Sequence, residues 1–134
     1  MYKRQGVIRA DLEEKITEFL PVDLMIPAPA QGALALEIRE NDEELEKMID
    51  AIKDEISQIQ TDAERSYLAG IDGSCHIPMG AYCEVDGEKL TLTGIFGDED
   101  GEKITVASLE GEKDNPKELG SKLAKLVLEK HREE

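Results

Sequence analysis

The chain has 134 residues, 40% hydrophobic but only 4% aromatic, and 31 acidic side chains against 16 basic ones leave a net charge of −15. That length suits one domain, or one domain plus pieces of another, around a mainly aliphatic core. The acidic excess argues against binding nucleic acid or an anionic membrane through bulk electrostatics. No apolar run approaches the roughly 18 residues that a transmembrane helix needs, and the basic start Met1-Tyr2-Lys3-Arg4 lacks the apolar stretch of a secretory signal. Two cysteines make no disulfide scaffold, so a reduced, cytoplasmic home is expected.

In chain order, Leu12, Ile16, Phe19 and Leu20 recur at helical spacing and predict a helix over Asp11–Leu20, stopped by Pro21. Val22–Ile26 has the length and apolarity of a short strand. Pro27-Ala28-Pro29-Ala30-Gln31-Gly32 can continue neither element and reads as a shaped loop. Ala33–Arg39 then alternates, with Leu34, Leu36 and Ile38 on one face and small residues on the other, the pattern of a strand covered on both sides. Asn41 or Asp42 can cap a long helix with the stripe Leu45, Met48, Ile49, Ile52, Ile56 and Ile59. Thr61-Asp62-Ala63-Glu64 has the capping-box pattern and predicts the start of a separate helix towards Ala69.

Beyond residue 80 the period changes. Ala81–Val85, Lys89–Ile95 and Lys103–Leu109 predict three strands, with turn signals at Asp86-Gly87 and Asp98–Gly101, hence an antiparallel meander. Asn115-Pro116 supplies an N-cap and a first-turn proline for a last helix that buries Leu119, Leu123, Leu126 and Val127. The fold class is therefore α+β: a C-terminal domain with a three-stranded antiparallel sheet packed by helices, preceded by an incomplete α/β segment. Two strands with no hairpin between them need partners from elsewhere, so the first half reads as part of a larger domain.

Two loops could carry chemistry. In Asp72-Gly73-Ser74-Cys75-His76-Ile77-Pro78-Met79-Gly80 a cysteine sits among small residues ahead of a strand, where a thiolate can serve as a soft nucleophile and form a stable covalent link. The plainer reading is a half-buried structural cysteine. His76 is a sequence neighbour, and neighbours on extended chain face opposite ways, so a capping or surface role suits it better than a Cys–His dyad. Cys75, His76 and Cys83 lack the paired short spacings of a zinc site, and no metal is expected. Cys83 falls on the core face of its strand, although a Cys75–Cys83 disulfide is conceivable. In the proline loop, Gly32 lets backbone approach a ligand, and Gln31 can donate and accept at once. The plainer reading there is a rigid connector.

Together the two loops carry a resemblance. Pro27-Ala28-Pro29-Ala30-Gln31-Gly32-Ala33-Leu34-Ala35-Leu36-Glu37 resembles the P-A-x-x-Q-G-A-x-x-x-E segment of the porphobilinogen deaminase (hydroxymethylbilane synthase) family. Ala63-Glu64-Arg65, Leu68 and Gly73-Ser74-Cys75-His76-Ile77-Pro78-Met79-Gly80-Ala81-Tyr82 resemble its A-E-R…L-x-G-G-C-x-V-P-[IM]-G-x-Y, in the same order and spacing. The resemblance covers the chain from about Gly6. It implies the C-terminal part of a soluble, monomeric, three-domain enzyme. Residues 1–32 would end the second domain with the proline loop, 33–54 would return to the first domain, and 55–134 would form the C-terminal cofactor-anchoring domain. Met1–Gln5 departs from the pattern and reads as a truncation scar or foreign leader.

The resemblance also implies a function. The family joins four porphobilinogen molecules into hydroxymethylbilane, in tetrapyrrole (porphyrin and heme) biosynthesis, releasing ammonia and growing the chain on a dipyrromethane cofactor held by a thioether. Cys75 matches the attachment cysteine, and a thiolate suits the trapping of the electrophile that ammonia loss creates. Arg9 matches an arginine that pairs with carboxylates of cofactor or substrate. Gln31 and Gly32 match loop positions beside the cofactor, and Arg39 and Arg65 match positions where structural salt bridges are expected. Ser74 and His76 depart from the usual glycine and glutamine. The family's catalytic aspartate and most of its basic substrate-binding residues belong to the N-terminal half, so no catalytic residue is assigned here. The expected partners are porphobilinogen and the N-terminal domains of the same enzyme, and the chain alone is expected to be inactive. The competing reading is a stand-alone acidic α+β interaction module in which Cys75 is structural. The first reading predicts exposed apolar side chains at Leu34, Leu36 and Ile38; the second predicts a compact chain throughout.

Overall fold

The computed structural model describes residues 4–71 and 77–133. Its ordered centre is a three-stranded antiparallel sheet, β1 (Met79–Asp86), β2 (Lys89–Gly97) and β3 (Ile104–Glu112), in the order β1-β2-β3. Asp86 pairs with Lys89 across a two-residue loop in which Gly87 has φ +61°, the backbone such tight hairpins favour. At the next turn Asp98 N–H donates to Lys103 O (3.1 Å) and Lys103 N–H donates to the Asp98 carboxylate (3.2 Å), closing the loop that carries Gly101. The expected meander is present: β1 runs past both predicted ends, β2 starts at Lys89 as expected and runs on to Gly97, and β3 starts one residue late, at Ile104, and runs on to Glu112.

Two helices cover one face of this sheet. Helix α3 (Glu55–Ile71) buries Ala63, Tyr67 and Ile71, and α4 (Pro116–Glu133) buries Leu119, Leu123, Ala124 and Val127. They close on Ala81, Cys83, Leu90, Leu92 and Ala107 of the sheet, all buried. Leu126, expected in the core, packs against it half-buried. His131 near the end of α4 stacks edge-on against Phe96 (4.8 Å) and hydrogen-bonds Thr105 through Nδ1 (3.0 Å), so it secures the helix to the sheet.

The first half departs from its predicted elements. A short helix α1 (Arg4–Arg9) and a 3-10 turn at Glu13–Lys15 replace the helix expected over Asp11–Leu20. Asp11 stands at φ +54° and breaks the helical path, and Leu12 and Phe19 remain 45% and 49% exposed. An apolar stripe without a surface to pack on gains too little to offset helix nucleation. Val22–Ile26 forms a turn, with Leu24 and Met25 N–H groups donating to Pro21 O. Ala33–Arg39 has no regular structure, and Leu34 and Leu36 are 84% and 61% exposed. A strand has no ladder without a neighbour, and the described residues supply none to it.

The single long stripe from Leu45 to Ile59 is split into α2 (Glu43–Asp50) and α3. Asp42 caps α2 by accepting from Leu45 N–H (3.2 Å). Asp54 begins α3: its carboxylate accepts from the Ser57 hydroxyl and its carbonyl accepts from Gln58 N–H. Thr61 therefore lies inside α3 rather than at the start of a helix. Its hydroxyl donates back to the Ser57 and Gln58 carbonyls (2.8 and 3.0 Å). Among the described residues no helix is long and apolar enough to cross a membrane.

The contact between α3 and α4 is close at Gly120, where a Cβ would lie 2.3 Å from Ala63 O and 2.7 Å from Tyr67 N. Gly120→Ala should therefore destabilise the fold by about 1–3 kcal/mol through overpacking, although helix propensity alone would favour alanine by about 1 kcal/mol. Urea denaturation measures it: a lowered midpoint is expected, and a raised one would show that the helices separate at little cost.

Candidate functional site

The proline loop is fastened to the α/β unit by backbone. Pro27 O accepts from Ala81 N–H (3.0 Å), so one residue of the loop continues the sheet beyond β1. The approach needs Gly80, since a Cβ there would stand 2.8 Å from Pro27 O. Ala28 O then accepts from Gln31 N–H (3.1 Å), and Ala30 and Gly32 take φ +58° and +95°. Ala30 holds this strained conformation because its N–H is gripped: it donates to Glu64 Oε2 at 2.7 Å.

Glu64 holds the other side too. Its Oε1 accepts from Cys83 N–H (2.9 Å), and one turn earlier on α3 the Gln60 amide donates to Cys83 O (2.7 Å). Two side chains at helical spacing thus satisfy the outer edge of β1 at Cys83. Glu64 is only 6% exposed. Burial pushes its carboxyl above the ordinary range, while the hydrogen bonds from Ala30 and Cys83 N–H pull the other way. Gln31, Gly32, Ser57, Gln60 and Glu64 line a small recess between loop and helix. The Cys83 thiol, wholly buried, is pushed up to about 12 by burial and by the Glu64 and Glu84 carboxylates. It is a free, buried thiol whose thiolate, the nucleophilic form, is strongly disfavoured.

Comparison with known proteins decides what kind of chain this is. Residues 59–129 match the family model "Porphobilinogen deaminase, C-terminal domain", and residues 4–47 match "Porphobilinogen deaminase, dipyromethane cofactor binding domain". The chain belongs to the porphobilinogen deaminase family. A porphobilinogen deaminase of Clostridioides difficile (strain 630) is 55% identical over 126 residues, 94% of this chain and 42% of that protein. One of Clostridium novyi (strain NT) is 43% identical over 126 residues, 92% of this chain and 42% of that protein. The chain thus spans well under half the length of these relatives. Glu64 bonds one residue of each matched segment, Ala30 and Cys83.

The expected site residues are distributed unevenly. The fold brings Gln31 and Gly32 against α3, with Gln31 half-buried. Arg9 ends α1, exposed, and α1 packs only on the 3-10 turn among the described elements. Cys75 and His76 lie outside the described residues, in the segment that joins α3 to β1. Arg39 forms its expected salt bridge, with Asp42 at 3.3 Å, whereas Arg65 is exposed and makes no ion pair among the described residues. Sequence reasoning misses Gln60 and Glu64 as organisers of the site. Their signal is nonetheless there: Gln60, Ala63, Glu64, Tyr67 and Ile71 share one helical face, which puts polar groups on a stripe that must be buried.

A pH dependence follows from the raised Glu64 carboxyl. The folded chain takes up this proton at higher pH than the unfolded chain. The stabilisation is therefore complete below the unfolded value and is lost as pH rises through the folded one. Chemical denaturation of wild type and Glu64→Gln between about pH 7.5 and about pH 5 measures it. The stability difference should move in favour of wild type as the pH falls. Movement the other way would mean that the two N–H bonds outweigh burial.

Proposed function

We propose that the chain is the C-terminal portion of a hydroxymethylbilane synthase, an enzyme joining four porphobilinogen molecules into hydroxymethylbilane with release of ammonia. In this reading it works in the cytoplasm as part of a monomeric enzyme and carries a dipyrromethane cofactor on Cys75. Residues 1–32 end the second domain, 33–54 return to the first, and 55–134 form the third. The observation that carries the proposal is the match of both family segments, in order, to one chain. The exposure of Leu34 and Leu36 supports it over the competing reading, which expects a chain compact throughout with these side chains buried.

The residues present fit such a group. Gln31 and Gly32 edge a recess backed by α3, one offering an amide and the other a backbone free of a side chain. Arg9 forms no ion pair among the described residues, which leaves a bidentate guanidinium for a carboxylate. When bound, the cofactor supplies the pyrrole carbon from which the product grows. Cys75 provides the sulfur of the thioether, and its tether keeps the reacting end at high local concentration. Cys83, with its thiol pushed up to about 12, does not compete for this role. The catalytic carboxylate and the cationic pocket belong to the N-terminal portion, so the chain alone does not form hydroxymethylbilane.

The test is the intact mass of the chain co-expressed with the N-terminal portion of a family member, followed by peptide mapping. A two-pyrrole adduct on the Cys75 peptide, absent from the Cys83 peptide and lost in Cys75→Ser, is expected. An unmodified Cys75 in a soluble, associated complex would return it to a structural role, and hydroxymethylbilane formation by the purified chain alone would overturn the division of labour.

A further inference from the structure

We infer that Gln60 and Glu64 act together as positioning residues: from adjacent turns of α3 they splice the proline loop to the outer edge of β1, and so set where Gln31 and Gly32 stand relative to the segment that bears Cys75. The functional half of this inference rests on the proposed function above; the geometric half does not.

Along the outer edge of β1, Ala81 and Cys83 direct their N–H groups away from β2, because Ala81 donates to Pro27 O and Cys83 donates to Glu64. An edge of this kind needs partners. The loop supplies one acceptor at Ala81 and then turns away. At the next outward position no strand continues, and α3 substitutes for it: Glu64 accepts from Cys83 N–H, and Gln60 donates to Cys83 O. Glu64 then uses its second oxygen on Ala30 N–H, returning to the loop it has replaced. Pro27, Ala81, Cys83, Glu64 and Ala30 thus form one closed ring of hydrogen bonds and backbone.

Closure of the ring matters because every member is costly to leave alone. Glu64 is a buried carboxylate whose charge is met by two N–H donors, with no cation within salt-bridge distance among the described residues. Displacing the loop removes one donor and leaves the charge half-satisfied. The loop is held in the same way, since Ala30 keeps its positive φ while its N–H is bound. Gln60 and Glu64 also line the recess that Gln31 and Gly32 edge. A shift of either side chain therefore moves the floor of the recess and its rim together. β1 begins two residues after the described chain resumes at Ile77, so the ring fixes the register of the strand that follows the Cys75 segment in sequence.

Amide hydrogen exchange of the 134-residue chain tests the geometric half. Glu64→Gln keeps the shape but puts a donor where a second acceptor is needed, and Gln60→Met removes the bond to Cys83 O. Exchange at Ala30 should rise about tenfold or more in Glu64→Gln, as removal of one charge-assisted hydrogen bond implies, while Leu92 and Leu123 in the core keep their protection. Gln60→Met should speed exchange at Ala30 by a smaller factor. Unchanged exchange at Ala30 in both variants would overturn the splice.

The functional half is read in the chain co-expressed with its N-terminal portion, from adduct occupancy at Cys75 and from turnover. With core protection intact, Glu64→Gln should lower kcat about tenfold with KM changed less than about twofold, the split expected when a reacting group is misplaced while substrate binding is retained. Occupancy and kcat at wild-type values would overturn the positioning role even though the adduct stands. If wild type itself carries no adduct, the proposed function falls and the exchange experiment alone decides the splice.

Discussion

The structure turns on a carboxylate buried between two backbone N–H groups. Placing Glu64 out of water carries a desolvation penalty of several kcal/mol for an unpaired charge, and Ala30 and Cys83 offset it with bonds of 2.7 and 2.9 Å. The arrangement works only if three things coincide: α3 must present position 64 to the sheet edge, β1 must begin in the register that turns Cys83 N–H outward, and the proline loop must bring Ala30 within reach. Sheet register, helix rotation and loop conformation are thereby made mutually dependent. Neither the hydrophobic core nor the loop alone would impose that, because burial is non-directional and a proline loop is stiff only within itself.

On one side of this junction the chain is self-sufficient, and on the other it is not. Sheet, α3 and α4 enclose Tyr67, Leu90, Leu92, Leu123 and Val127 completely. Before α3, Leu24, Leu34, Leu36 and Ile52 are each more than 60% exposed. Each such side chain forgoes roughly 1.5–3 kcal/mol of burial, which a stand-alone domain has no reason to accept. The relatives that the chain matches are more than twice as long, and in the proposed function it is the N-terminal portion that offers these side chains surfaces to meet.

The same contrast explains what can be read from the amino acids. The meander is legible because its signals are local: Asp86-Gly87 demands a tight turn, and alternation at Ala81, Cys83 and Leu90, Leu92 selects a face. Helix α4 is legible from Asn115-Pro116 and its apolar stripe. Asp11–Leu20 and Ala33–Arg39 carry equally good periodicity, but a period shows which face wants burial and not whether anything is there to bury it. The capping box at Thr61 misleads for a different reason. Glu64 fits the pattern, yet a carboxylate on the buried face of a helix is taken up by tertiary donors, which no four-residue motif records. The recess is half-legible: Gln31 and Gly32 can be named from the loop, whereas Gln60 and Glu64 require knowing which strand edge α3 faces.

The position of Glu64 has a consequence for the two cysteines. In the proposed function the chain depends on one thiol, Cys75, for a covalent link and is served by a second thiol that stays silent; Cys83 lies on the strand that follows the Cys75 segment in sequence. Burial among Ala63, Leu92 and Leu123 already disfavours its thiolate. Glu64 and Glu84 disfavour it further by placing negative charge nearby, so the thiol is pushed up to about 12. Of these, Glu84 is a strand neighbour with its side chain exposed, and its field is screened by water. Glu64 is buried, and its field is screened much less. The group that fastens the proline loop therefore also adds, after burial, to the rise of the core thiol, and one buried carboxyl acts on both loop and cysteine from one position.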